Sequence, residues 1–291
     1  MEKKANWGAQ IFLVLFPAAV GCLLGGYLLD VDSGTGDFPV TYPFVALVLA
    51  VMGALAPVLG IKKPLRSYRI LSGVTRSPLS RQAVLVALFI AMLLVHWVLV
   101  LGGGQAFWLE IFTVVVGAAA VLAAGVTYAL GSQPAWCHWS TLATLLGSML
   151  ALGVSLSMVV ALGWRSEGTT EGTAATIDRV LVLVGVVLLG LAAWGWTTNL
   201  RKGGVRTADT RELLLAGGRG AFLASVALSV VVAGVTVAAS FASAWLLIVT
   251  VLSLAAGLIL MRRLLFWCAV PLNWKSEVNW SRPRSLARKE G

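Results

Sequence analysis

Residues 221–261 read AFLASVALSVVVAGVTVAASFASAWLLIVTVLSLAAGLILM, 41 residues without one Asp, Glu, Lys or Arg. As one helix, at 1.5 Å per residue, the stretch would measure about 60 Å, twice the ~30 Å of hydrocarbon in a bilayer. It is too long for one crossing and must turn back on itself. The segment SFASAW at 240–245 is the expected turn, with a span on either side.

The same kind of run recurs towards the N-terminus. Apolar spans are expected near 10–29, 43–60, 82–101, 107–130, 140–164 and 179–200. The chain has 291 residues, 59% apolar and 12% charged. A soluble domain carries about 25% charged residues. Open sheet is excluded because lipid cannot satisfy unpaired backbone groups, and the runs lack the alternation of a barrel strand. The expected fold is an all-α integral membrane bundle of eight transmembrane helices, N-in and C-in. Residues 1–270 form the membrane domain and 271–291 a basic cytoplasmic tail. No cleavable signal peptide is expected, since the first run ends in GGYLLDVDSG without a clear small-residue cleavage site.

Charge sets the expected orientation. Lys and Arg concentrate at the N-terminus, in the loops after spans two and six, and from Arg262 to Lys289. Only Arg165 and Arg179 fall on the other side, so the positive-inside rule puts both ends in the cytoplasm. The net charge of +10 then reflects loops facing anionic lipid, with no nucleic acid implied. The tryptophans mark span ends as an aromatic belt.

Few groups suggest chemistry within the spans. Cys22, Cys137 and Cys268 are isolated, so no metal site and no iron–sulfur cluster is expected of this chain alone. His96 lies towards the outside and His138 towards the inside, too far apart to ligate one haem. His96 is expected to be a hydrogen-bonded structural residue. Glu110 is expected among solvating headgroups, and Asp178 in an outer loop. Pro17 and Pro57 could kink their spans. A transporter normally needs buried carboxylates or broken helices near the midplane. None is evident, which demotes a small-molecule transporter to an alternative.

The inner face is richer. KKPLRSYRILSGVTRSPLSRQ at 62–82, QPAWCHW at 133–139 and RRLLFWCAVPLNW at 262–274 share one membrane level by topology. They supply Arg donors, Tyr68, Gln82, His138 and aromatic rings at the hydrocarbon edge. A quinone, with carbonyls to bond and a tail for lipid, suits that chemistry.

At these segments the chain resembles the membrane anchor subunits of dimethyl sulfoxide reductase-type molybdenum enzymes, an eight-span family. Pro64, Arg66, Ser77, Leu79 and Ser80 keep the places of that family's segment after span two. Pro134 and Trp136 match its turn after span four, and Arg262 or Arg263 with Phe266 and Trp267 match its closing Arg–aromatic segment. Gly60 and Gln82 stand where members often carry His and Glu.

The resemblance implies a non-catalytic subunit of a prokaryotic cytoplasmic (inner) membrane complex. It would dock an iron–sulfur, ferredoxin-like subunit and a molybdopterin catalytic subunit, and exchange electrons with menaquinone or ubiquinone. A cytoplasmic partner fits the sulfite:quinone oxidoreductase anchors best. The implied quinone ligands are Arg66, Tyr68, Arg69, Gln82, Trp136, His138 and Trp139. The implied docking residues are Lys62, Lys63, Pro64, Arg76, Arg81, Arg262, Arg263, Phe266 and Trp267. A structural anchor whose quinone site has decayed is the other alternative.

Overall fold

The computed structural model describes residues 7–33, 40–59, 77–104, 107–129, 138–164, 173–202 and 210–268. All regular structure among them is helical. Eight helices are long and apolar enough to cross a membrane. They are α1 (Trp7–Ser33), α2 (Thr41–Leu59), α3 (Pro78–Leu101) and α4 (Phe107–Tyr128), then α5 (Trp139–Gly163), α6 (Thr173–Lys202), α7 (Arg219–Ala239) and α8 (Leu246–Cys268). The tail at 271–291 lies outside the described residues.

The return at 240–245 falls where the uncharged run required it, between Ala239 and Leu246. The amides of Ala242 and Ser243 both donate to the Ala239 carbonyl there, at 3.0 and 3.2 Å. Other boundaries run past the apolar residues. Helix α3 starts at Pro78, behind Ser77 in extended conformation, because a proline at the first helical position forfeits no hydrogen bond. Helix α6 begins at Thr173, six residues earlier than expected, and takes Asp178 and Arg179 into its second turn. Helix α8 runs on to Cys268, so Arg262 and Arg263 belong to the span and not to a tail. A hydrogen-bonded helix continues while its backbone gains from it, wherever the hydrophobic signal stops.

Contacts between rings sort the helix ends into two levels. At one end, here called lower, the Arg263 guanidinium lies 5.6 Å over the Trp7 ring, Tyr128 meets Phe266 and Trp196 meets Phe222. At the upper end, Tyr27 meets Phe107, Phe44 meets Trp97 and Arg179 covers Phe241. Successive helices therefore alternate in direction.

Helices α1 and α5 form the centre. Their spans are 72% and 67% buried, against 28–44% for the other six, which show one face to the surroundings. The two approach backbone to backbone. A Cβ on Gly153 would lie 2.5 Å from the Gly21 Cα and 2.7 Å from the Ala18 carbonyl, so neither glycine has room for a side chain. A π-helical turn at Met149–Gly153 carries the α5 side of this contact. Beside it Phe12 stacks on Phe16 and Phe16 meets Phe89 edge-on, with centroids 5.3 and 5.5 Å apart. Buried hydroxyls bond back to their own helix, as Thr113 does to the Leu109 carbonyl at 2.6 Å and Ser155 to that of Ala151 at 2.6 Å. Such bonds satisfy polar groups without a partner helix.

Candidate functional site

The lower end gathers buried polar groups that the apolar packing leaves without partners. Val14 of α1 and Leu258 of α8 share one apolar cluster. One turn lower on each helix stand Gln10 and Arg262, which sets both at the same level. Arg262 is only 1% exposed, and its Nε and Nη2 have no hydrogen-bond partner. Neither Oε1 nor Nε2 of Gln10 has one either.

Tyr128, at the end of α4, interacts electrostatically with Arg262 and turns its ring edge-on to Phe266 at 6.4 Å. Trp196 joins Tyr128, Phe222 and Phe266 in one apolar cluster, and its indole N–H also lacks a partner. A guanidinium buried in apolar surroundings without a counter-charge is worth several kcal/mol of destabilisation. The arrangement leaves the donors of Arg262, Gln10 Nε2 and Trp196 Nε1 unpartnered, with one acceptor, Gln10 Oε1.

Of the expected docking residues, four lie on α8 and split between two faces. Arg262 and Phe266, one turn apart, face the interior. Arg262, expected on the docking surface, is buried in the bundle. Arg263 and Trp267, also one turn apart, face outward. They line a groove of about 280 Å³ between α8 and the start of α7, with Gly217, Ala221, Leu260 and Leu264 as its apolar walls. Arg81, in the first turn of α3, is exposed. Lys62, Lys63, Pro64 and Arg76 lie outside the described residues.

The expected quinone ligands fare unevenly. Arg66, Tyr68, Arg69 and Trp136 lie outside the described residues. Gln82 is buried, with Oε1 unpartnered. It stands two turns below Phe89, whose ring covers Gly117 of α4, and so at the level of the last turn of α4. His138 is the N-cap of α5. Its Nδ1 accepts from the Ser140 amide at 3.3 Å and lies 3.0 Å from the Ser140 hydroxyl. Burial pushes its pKa down, which favours the neutral ring that a cap requires. Trp139 lies against Gly195 of α6, where an added Cβ would sit 2.5 Å from the indole, and its other face is open. Both residues thus have packing roles, while Tyr128, absent from the expected set, interacts with Arg262, and Gln10 and Trp196, also absent from it, lie at the same end of the bundle. Helical spacing pointed to Arg262, four residues after Leu258 and eight after Leu254 on the buried face.

The upper end holds a second cluster. Tyr42 of α2 donates to Glu110 Oε1 of α4 at 2.8 Å, and His96 Nε2 of α3 lies 3.9 Å from Glu110 Oε2. All three side chains are buried. Glu110 is therefore not solvated among headgroups, because the first turns of α2 and α4 close over it. Nor is His96 hydrogen-bonded, since neither ring nitrogen has a partner. Asp178 is also buried, with both carboxylate oxygens unpartnered. Among the described residues no group of three or more His, Cys, Asp or Glu is placed to hold a metal ion. Compared with known proteins, the chain matches no family model and no curated protein.

Proposed function

We propose that the chain is the membrane anchor subunit of a multisubunit molybdopterin and iron–sulfur oxidoreductase, with a quinone site at its lower end. The lower end faces the cytoplasm of a prokaryote, both termini lie there, and the partner subunits dock on it. The observation that carries the reading is Arg262, buried, with Nε and Nη2 unpartnered, beside Tyr128 and level with Gln10. A quinone head offers carbonyl acceptors and no charge, which fits these donors. When bound, it carries two electrons and two protons between the membrane and the partner. Arg262 donates to one carbonyl, the Gln10 amide and Trp196 N–H are further donors at that level, and the surrounding rings exclude water.

Charge supports the orientation. Of the Lys and Arg among the described residues, only Arg179 is at the upper end; Arg81, Arg201, Lys202, Arg211, Arg219, Arg262 and Arg263 are at the lower. Outward-facing Arg263 and Trp267, with Arg81, give a docking surface for an acidic partner.

Two measurements test the proposal. Arg262→Met should weaken quinol-analogue binding by at least about tenfold, since a hydrogen bond to a charged group is worth ~1.5–3 kcal/mol. The same change should leave the bundle as stable as before or more so, by up to ~1–4 kcal/mol, because it removes an uncompensated buried charge. Unchanged analogue affinity would sink the quinone site. Solubilised at native expression level, the chain should carry an iron–sulfur subunit with it; recovery alone would sink the anchor reading.

A further inference from the structure

The upper-end cluster lies at the opposite end of the bundle from Arg262, and its chemistry differs. Three helices each bring one titratable side chain to one point. Tyr42 is the second residue of α2, Glu110 the fourth of α4, and His96 lies five residues before the end of α3. At 1.5 Å per residue the deepest of them is about 8 Å from the end of its helix. Tyr27 of α1 also interacts with them, electrostatically with Glu110.

The geometry constrains the charge state. Burial favours a Glu110–His96 pair that holds one proton over a pair that holds none. With one proton the pair has two forms: a protonated carboxyl with a neutral imidazole, or a carboxylate with an imidazolium. They differ by the position of one proton between Oε2 and Nε2. At 3.9 Å these atoms stand about 1 Å beyond hydrogen-bond length, a gap that a small side-chain rotation closes. Tyr42 holds the other carboxylate oxygen at 2.8 Å, which fixes the carboxyl plane while Oε2 stays directed at the ring. Both His96 ring nitrogens lack hydrogen-bond partners, so the ring can take a proton at one and pass it on from the other.

We propose that Tyr42, His96 and Glu110 form a proton-binding site that exchanges with the aqueous phase at the upper end. Glu110 and His96 share one proton, and Tyr42 positions the carboxylate. The balance is one proton: the Glu110–His96 pair takes it from water in acid buffer and returns it to water in alkaline buffer, with no electron moved and no covalent bond made or broken other than O–H or N–H. The site stands whether or not the lower end binds a quinone.

The full chain reconstituted in lipid vesicles tests this by infrared difference spectroscopy between acidic and alkaline buffer. The expected result is a carbonyl-stretch band of a protonated carboxylic acid that is lost in Glu110→Gln and moves in frequency in Tyr42→Phe. The chain has only two histidines, so ring-labelled histidine gives two resonances, and His138→Asn assigns them. In the unaltered protein, which needs no variant to fold, the His96 resonance should change over the same pH interval as the carboxyl band. A band that survives Glu110→Gln, or a His96 resonance that stays constant while the carboxyl titrates, overturns the proposal.

Discussion

His138 shows how a residue chosen for its chemistry can be used for its shape. As N-cap of α5 it meets the Ser140 amide through Nδ1, and only an unprotonated Nδ1 accepts. Its folded pKa lies below the ordinary ~6.5 of histidine, so the cap stabilises α5 fully above that value. The contribution is lost as pH falls through the lower, folded value. His138→Ala should therefore cost about 1 kcal/mol in a denaturation experiment at neutral or higher pH. The difference from the unaltered protein should shrink on acidification, while His138→Asn should keep the cap and remove its pH dependence. Arg262 shows the reverse. Grouped with Arg263 as one basic pair, it reads as surface, yet the 100° between successive helical residues puts Arg262 inside and Arg263 over Trp7 outside. Its position on the Leu254–Leu258 face was legible, but its membership in the helix was not, because charge masks the end of an apolar run.

At the scale of the element, the π turn at Met149–Gly153 is the feature that periodicity misses, since one extra residue in a turn leaves hydropathy untouched. It matters through Gly153, whose neighbours are α1 backbone atoms that cannot rotate away. Gly153→Ala should destabilise the bundle by about 1–3 kcal/mol, measured by thermal or denaturant unfolding in detergent. Gly163→Ala, on the same helix with nothing within 4 Å of the added methyl, should instead stabilise by about 0.5–1 kcal/mol. The opposite signs separate steric contact from helix propensity. The turn at 240–245 was legible for the simple reason that an uncharged run twice the hydrocarbon thickness has to reverse. Of the upper cluster, only the shared level of His96 and Glu110 was legible. Which faces of α2, α3 and α4 meet is decided by packing across helices, and one sequence does not encode that as a pattern.

For the whole molecule, alternating helices and the basic lower end make sidedness measurable. Cys22 and Cys268 are buried. With Cys137→Ser as background, Ser243→Cys in the exposed upper turn should react with a membrane-impermeant maleimide in intact cells. Lys202→Cys, at the exposed lower end of α6, should react only after lysis. Labelling of both from outside, or the reverse order, overturns the orientation. The central place of α1 also bears on how the protein is made. The ribosome releases α1 before the seven helices that surround it, so the element destined for the middle must first wait in lipid or beside an insertase. Helix α2, which with α5 makes the most extensive contact to it, follows directly and covers one side at once. The rest of the bundle then accretes outward, and Arg262 arrives on α8, after the other seven. Until that helix is delivered, Gln10 and Tyr128 lack the buried guanidinium of Arg262, so completing the lower site coincides with completing synthesis of the eight-helix bundle.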